Sequence, residues 1–240
     1  MSLDLWGTIL DDNHSPADTI TYSTQRQNFL GNELTRHGQA FAAKDMKAAY
    51  QQAWNHFDAL WAKQIAFGAA DGVREMLRLL GAKLPEESMA RVVRFFEETF
   101  DEHLPPSLDD AMPAVKRLAS RYALALISDT AWTPGRVLRT VLQRHGVAGF
   151  FVVMVFSGEV GVTKPHRRMF ELALEGLGVQ PQACLHVGDL QRTDVAGARQ
   201  AGMRAAWLYR PVYAGAAQED NGAEVVVSSV MELAERMLMG

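Results

Sequence analysis

The stretch CLHVGDLQRTDVAGARQAGM (184–203) opens on a short apolar-rich run, CLHV, closed by Gly188. Two aspartates follow, Asp189 and Asp194, and then a helical pattern begins. A continuous run of this kind, ended by a small residue and followed by a helix, reads as a parallel strand buried on both faces. The pattern recurs upstream. YALALI (122–127) ends at Ser128 and FFVVMVF (150–156) ends at Ser157. Leu3 with its neighbours predicts a further, unusually short strand. AAWLY (205–209) and EVVV (224–227) predict two more. Strands alternating with helices predict an α/β fold built on a doubly wound, Rossmann-like parallel sheet.

Residues 15–104 have a different period. Phe29, Leu30 and Leu34, then Tyr50, Trp54, Phe57, Leu60 and Trp61, then Met76 to Leu80 and Val92 to Phe96 fall at helical spacings, and no strand-like run interrupts them. Pro105 and Pro106 close the segment. This predicts an all-helical domain over 15–104, inserted into an α/β core formed by 1–14 and 105–240. The aromatic residues of the insert read as bundle core rather than as a ligand cage. Trp54, Phe57 and Trp61 are also placed to form an interface, and the oligomeric state stays open.

Composition narrows the function classes. The chain has 240 residues, 48% of them hydrophobic and 22% charged, with a net charge of −4. That balance gives no reason to expect nucleic acid or an anionic membrane as partner. One cysteine, Cys184, excludes an internal disulfide. No apolar run is long enough to span a bilayer. The first residues lack the basic and long apolar regions of a signal peptide, so a cytoplasmic protein is the expectation.

In open α/β sheets, ligands bind beyond the carboxyl ends of the strands. The residues at those ends are Asp4, Ser128, the 157–164 stretch with Lys164, and Asp189, with Asp194 close behind. Singly, each has a bland reading. Asp4 and Asp189 suit turns, Ser128 suits a helix N-cap, Lys164 suits a solvated loop, and Asp194 suits the first turn of a helix. Together, at successive strand ends, they form a chemical set. A carboxylate can attack phosphorus and form an aspartyl-phosphate that water then hydrolyses. Three carboxylates facing a phosphate dianion need cations, and Lys164 with a bound Mg²⁺ would supply them. Carboxylates and waters are the oxygen ligands that Mg²⁺ prefers. Ser128 and adjacent backbone N–H groups can bind phosphoryl oxygens.

In these motifs the chain resembles the haloacid dehalogenase superfamily. The matching stretches are DLWGT (4–8), ALISDT (125–130), GVTKP (161–165) with Phe170 beyond it, and HVGDLQRTDVAGARQAGM (186–203), with a helical cap after the first. The resemblance implies Asp4 as nucleophile, Ser128 and Lys164 as catalytic phosphate ligands, and Asp129 as a further phosphate-binding residue. It also implies Mg²⁺ held by Asp4, the main-chain carbonyl of Trp6 and Asp189, with Asp194 in direct or indirect support. The implied substrate is a small phosphorylated metabolite.

Two positions depart from the pattern. Asp129 stands where an asparagine is frequent. Trp6 stands where family phosphatases usually carry a second aspartate, which protonates the leaving oxygen and then activates water. Indole does neither, and general acid–base catalysis contributes about 10²–10⁴-fold. Three readings follow. One is a Mg²⁺-dependent phosphatase with weakened acid catalysis, or with a substitute acid from Asp11, Asp12 or His14. The second is a 2-haloacid dehalogenase-like hydrolase, with Arg26 receiving halide, against which Asp189 and Asp194 weigh. The third is a catalytically impaired phosphate-ligand binder on the same fold. Arg26, Arg36, His56 and Lys63 are candidates to meet a substrate anion, although the default for each is a solvated helix position.

Overall fold

The computed structural model describes residues 1–11, 21–100, 104–108, 110–209 and 222–239. Among them, six strands form one sheet: β1 (Ser2–Leu3), β2 (Leu124–Ser128), β3 (Phe151–Phe156), β4 (Leu185–Gly188), β5 (Arg204–Leu208) and β6 (Val225–Val227). All pairings are parallel, and the order is β3-β2-β1-β4-β5-β6. The chain moves outward from β1 through β2 to β3, then crosses back to β4 on the other side of β1. That reversal opens a crevice at the carboxyl end of β1, where α/β sheets bind ligands. Asp4 is the first residue beyond that end.

β1 is only two residues long because the chain turns at once. Its Leu3 pairs with Leu126 on one side and Val187 on the other, and the Asp4 N–H donates to the Val187 carbonyl at 2.8 Å. Gly7 then adopts a φ of +71°, and the carbonyl of Leu5 accepts from the N–H groups of Ile9 and Leu10. A side chain at Gly7 would be doubly excluded. Its backbone lies in the left-handed region, and a Cβ there would sit 2.4 Å from Asp189 Oδ2.

Helices cover both faces. α5 (Ala111–Ala119), α6 (Gly135–Arg144) and α10 (Val230–Met239) bury Leu118, Leu138, Leu142 and Leu233 on one face. α8 (Arg167–Leu177) and α9 (Ala196–Gln200) bury Met169, Phe170, Ala173 and Ala198 on the other, with the short α7 (Ser157–Val160) after β3. The doubly wound α/β sheet is therefore present. One expectation needs correction: β3 is an edge strand, not a fully buried one. Among the described residues it pairs only with β2, and its Val152 is 63% exposed.

Between β1 and β2 lie α1 (Tyr22–Arg36), α2 (Ala43–Trp61), α3 (Ala69–Leu80) and α4 (Glu86–Glu98). They surround an apolar cluster of their own that contains Leu30, Leu34, Met76, Val92 and Phe96. Trp132, from the loop after β2, inserts into that cluster and stacks on Tyr50 at 5.1 Å. Burial of such a large ring stabilises the contact by about 1.5–3 kcal/mol. A second link joins the end of α2 to the loop before α8. Ile65 bridges antiparallel to Val162, and the Thr163 N–H donates to the Gln64 carbonyl at 3.3 Å. No described helix is long and apolar enough to cross a membrane.

Candidate active site

The strand ends converge. Asp4 follows β1, Asp129 follows β2, Asp189 follows β4, and Lys164 comes from the loop between α7 and α8. Asp194 lies in a single π-helical turn, Gln191–Val195, ahead of α9. That turn folds its carboxylate back toward the sheet, where Oδ2 accepts the Leu190 N–H at 3.0 Å. The approach requires Gly188, since a Cβ there would lie 2.3 Å from Asp194 Cγ.

Lys164 is the hub. Its Nζ donates to Asp4 Oδ1 at 2.5 Å and to Asp194 Oδ1 at 2.6 Å, and all three side chains are almost fully buried. Behind Asp194, His186 Nε2 is 3.3 Å from Oδ1, while His186 Nδ1 meets Ser2 Oγ at 3.0 Å. Burial by itself would raise the Asp194 carboxyl. The ammonium of Lys164 and the contact with His186 outweigh it and hold that carboxyl far below its usual range. Asp4 goes the other way. Burial raises its carboxyl from 3.8 to about 7, against the pull of Lys164 and with a further push from Asp194. Burial opposes the charge on Lys164, and the two carboxylates overcome it and raise its pKa. One buried ammonium thus faces two carboxylates, and its charge is spent mainly on Asp194.

Asp4, Asp189 and Asp194 each offer an oxygen within 4.8 Å of the others. Three carboxylates against one ammonium leave a net negative, all-oxygen cluster, which fits a hard divalent cation. Asp194 is held by Lys164, His186 and the Leu190 N–H, and Asp4 by Lys164 and, at Oδ2, by the Thr8 hydroxyl at 3.2 Å.

The cavity, about 610 Å³, is lined by the cluster of Asp4, Asp129, Lys164, Asp189 and Asp194, and also by Asp11 and Thr193. Asp129 is tied down on both oxygens. Oδ1 accepts the Lys164 N–H at 2.9 Å, and Oδ2 accepts the indole N–H of Trp61 at 2.8 Å. Burial raises its carboxyl, against the pull of Lys164 and Trp61. Ser128 is different. It is fully buried, its hydroxyl donates to the Asp129 carbonyl at 3.1 Å, and the cavity wall is formed by Asp129 and Thr130 instead. Trp6 lines the cavity with its ring 5.7 Å from that of Phe100, beyond α4. Asp11 also lines the cavity, whereas Asp12 and His14 lie outside the described residues.

Two sequence expectations about the helical segment are overturned. Tyr50, Trp54, Phe57 and Trp61 are not simply bundle core: they line the cavity, and the last three are only partly buried. Their helix carries more aromatic surface than the bundle interior can cover, and the remainder faces the site. Arg26 is not solvated: it is 4% exposed and lines the same cavity. Its spacing of four from Leu30 and eight from Leu34 places it on the buried stripe of α1. That spacing was the available signal, and the charge of the residue masked it. Arg36, His56 and Lys63 are exposed. Trp132, which the sequence reading passed over, also lines the cavity.

Known proteins agree with this architecture. A phosphoserine phosphatase of Thermus thermophilus is 38% identical over 137 residues, 57% of this chain and 53% of that protein. A glyceraldehyde 3-phosphate phosphatase of Methanopyrus kandleri is 31% identical over 141 residues, 58% of each chain. The chain spans about half the length of the curated relatives it matches. In fold it is similar to a HAD phosphatase from Thermococcus onnurineus, with a TM-score of 0.61 at 23% identity over 100% of this chain and 96% of that one. It is also similar in fold to a 2-haloacid dehalogenase from Pseudomonas syringae pv. Tomato DC3000, with a TM-score of 0.64 at 20% identity over 99% and 97%. Residues 2–202 match the model of the haloacid dehalogenase-like hydrolases, and the chain belongs to that family of hydrolases.

Proposed function

We propose that the protein is a phosphatase that hydrolyses a small phosphate monoester through an aspartyl-phosphate on Asp4. The observation that carries this reading is the cluster of Asp4, Asp189 and Asp194 around Lys164, lining the cavity. Two acids beyond the nucleophile would be unfavourable beside a departing halide and a substrate carboxylate. They suit a site that holds a divalent cation. The phosphatase names of the relatives from Thermus and Methanopyrus point the same way.

In this reading a carboxylate oxygen of Asp4 attacks phosphorus as the bond from phosphorus to the leaving oxygen breaks. Water then attacks the same phosphorus, inorganic phosphate leaves, and the Asp4 carboxylate is restored. Mg²⁺, when bound by Asp4, the Trp6 carbonyl and Asp189 with Asp194 in support, neutralises charge on the nucleophile and the phosphoryl oxygens. Lys164 screens the phosphoryl oxygens and orients Asp4. Ser128 serves as a phosphate ligand once its hydroxyl turns from the Asp129 carbonyl. Asp129 holds its own loop against Lys164 and Trp61 and shapes that phosphate site.

The missing step is proton transfer. Trp6 has no proton to give the leaving oxygen, so esters whose alcohol leaves as a stable anion react best. Asp11, on the cavity wall, is the described candidate for a substitute acid. Residues 15–104 act as the cap that closes the site, and its wall selects the substrate. The protein works on a soluble metabolite, in the cytoplasm, without nucleic acid or membrane.

The test is a panel of acyl, aryl and alkyl phosphates assayed with Mg²⁺ and with excess EDTA. Hydrolysis that needs Mg²⁺ and favours acyl and aryl esters supports the reading. Halide release from 2-chloropropionate in EDTA, with no phosphate ester turned over, overturns it in favour of a dehalogenase.

A further inference from the structure

The cap wall of the cavity holds a cation that the phosphatase chemistry does not use. Arg26 is 4% exposed. Its donors reach neutral acceptors only: the Phe96 carbonyl at 2.9 and 3.1 Å, Thr99 Oγ1 at 3.2 Å, Tyr50 Oη at 3.4 Å and Thr133 Oγ1 at 3.5 Å. Among the described residues no carboxylate lies within ion-pair distance of it. Burial lowers the pKa of its guanidinium, yet a guanidinium stays charged in proteins. A buried charge without a counter-ion is costly, and it persists where a ligand completes it.

The surroundings of Arg26 describe that ligand. The rings of Phe100 and Trp132 lie 5.9 and 5.7 Å from its guanidinium carbon, so the flanking wall is planar and apolar. Trp132, 2% exposed, lines the same cavity, and its buried indole N–H has no acceptor among the described residues. Among the described residues, the carboxylates lining the cavity are Asp4, Asp129, Asp189 and Asp194 at the strand ends and Asp11 in the link between β1 and α1. α1 to α4 contribute none. Among the described residues, the only charged side chain that these helices place on the cavity is the Arg26 guanidinium, which attracts an anion. The cavity, about 610 Å³, has room for a small molecule reaching from one pole to the other.

We propose that Arg26 is a specificity-determining residue that binds a second anionic group, so that the substrate is a phosphate monoester whose alcohol carries a carboxylate on an apolar, planar body. The proposal rests on the phosphatase reading for the chemistry of the other pole. Glyceraldehyde 3-phosphate, with no second anion, matches this wall poorly, and phosphoserine offers the carboxylate without the planar apolar body.

Two matched pairs test it. The first compares 4-(carboxymethyl)phenyl phosphate with its carboxamide, in which the neutral amide replaces the anion and the ester bond is the same. The parent protein should show kcat/KM at least about tenfold higher for the carboxylate. Arg26→Met should bring the ratio close to one, and Arg26→Lys should retain part of it. The second pair needs no turnover. Phenylacetate and phenylacetamide are titrated while the fluorescence of the cavity tryptophans is followed, and phenylacetate should bind at least about tenfold tighter. A purely structural Arg26 would shift the melting temperature of its variants and leave both ratios alone. Selective binding of phenylacetate with neither ester hydrolysed would sink the phosphatase reading and keep the anion subsite. Equal binding and equal turnover within each pair in the parent protein, where folding is not in question, overturns the proposal. So does a folded Arg26→Met that keeps the parent ratios.

Discussion

Lys164 Nζ stands between two buried carboxylates, 2.5 Å from Asp4 and 2.6 Å from Asp194. Asp4 follows β1 and Asp194 comes from the turn between β4 and α9, so one ammonium ties that turn to the central strand. Removing it leaves two buried charges without their partner. Lys164→Met should destabilise the metal-free protein by about 3–5 kcal/mol and abolish turnover. Urea denaturation checks this, with part of the loss recovered by added Mg²⁺. A stability equal to the parent would show that the buried pairs contribute nothing to the fold.

The pH dependence follows from Asp4. Its carboxyl is raised from 3.8 to about 7 by burial, so the folded state binds that proton more tightly than the unfolded state does. This contribution favours folding at low pH and is lost as pH rises toward 7. Mg²⁺ competes for the same oxygens and needs them ionised. The rise in melting temperature on adding Mg²⁺ should therefore be larger at about pH 8 than at about pH 5.5. A Mg²⁺ effect independent of pH would remove Asp4 from the cation site.

Trp6→Asp should restore an acid at the position where the indole now lines the cavity. The expected gain is on alkyl phosphates, whose leaving oxygen needs a proton, with little change on aryl or acyl phosphates. Trp6 is partly buried and packs against Phe100, so the substitution also costs stability and a thermal melt must accompany the kinetics. A folded variant with the parent's alkyl-to-aryl ratio would show that proton transfer comes from elsewhere, with Asp11 next to test.

The Trp61 indole joins α2 to Asp129 at 2.8 Å, and Arg192 lies 4.2 Å from the centre of its ring. Trp61→Phe keeps the ring and deletes the donor. It should raise KM severalfold and leave kcat nearly unchanged, because the contact positions the helical layer over the site without touching phosphorus. A fall in kcat at constant KM would place Asp129 in the chemistry instead.

The sheet was legible because its central strands are apolar runs with abrupt ends, and the acids, serine and lysine sit at those ends. The edge position of β3 was not, since an apolar run does not say how many neighbours it has. The helices were legible from period alone, but which aromatic faces the bundle and which faces a cavity depends on how the helical layer sits over the sheet. Arg26 shows the limit most clearly. Its spacing with Leu30 and Leu34 put it on the buried stripe, while its charge argued for solvent. The roof formed by Phe96, Thr99 and Trp132, distant in sequence, decides between them. Ser128 was found by its place in the sheet, whereas the turn of its hydroxyl toward the Asp129 carbonyl is a local detail no pattern encodes.

The most direct test of the account is to find the phosphoryl group. The protein is mixed with acetyl phosphate and Mg²⁺, quenched in acid during turnover, digested, and read by peptide mass spectrometry. The account predicts one added phosphoryl group on the peptide containing Asp4, absent in Asp4→Asn, which should also lose at least about 10³-fold in kcat. A phosphoryl group on another residue, or an Asp4→Asn variant that turns over at the parent rate, would contradict it.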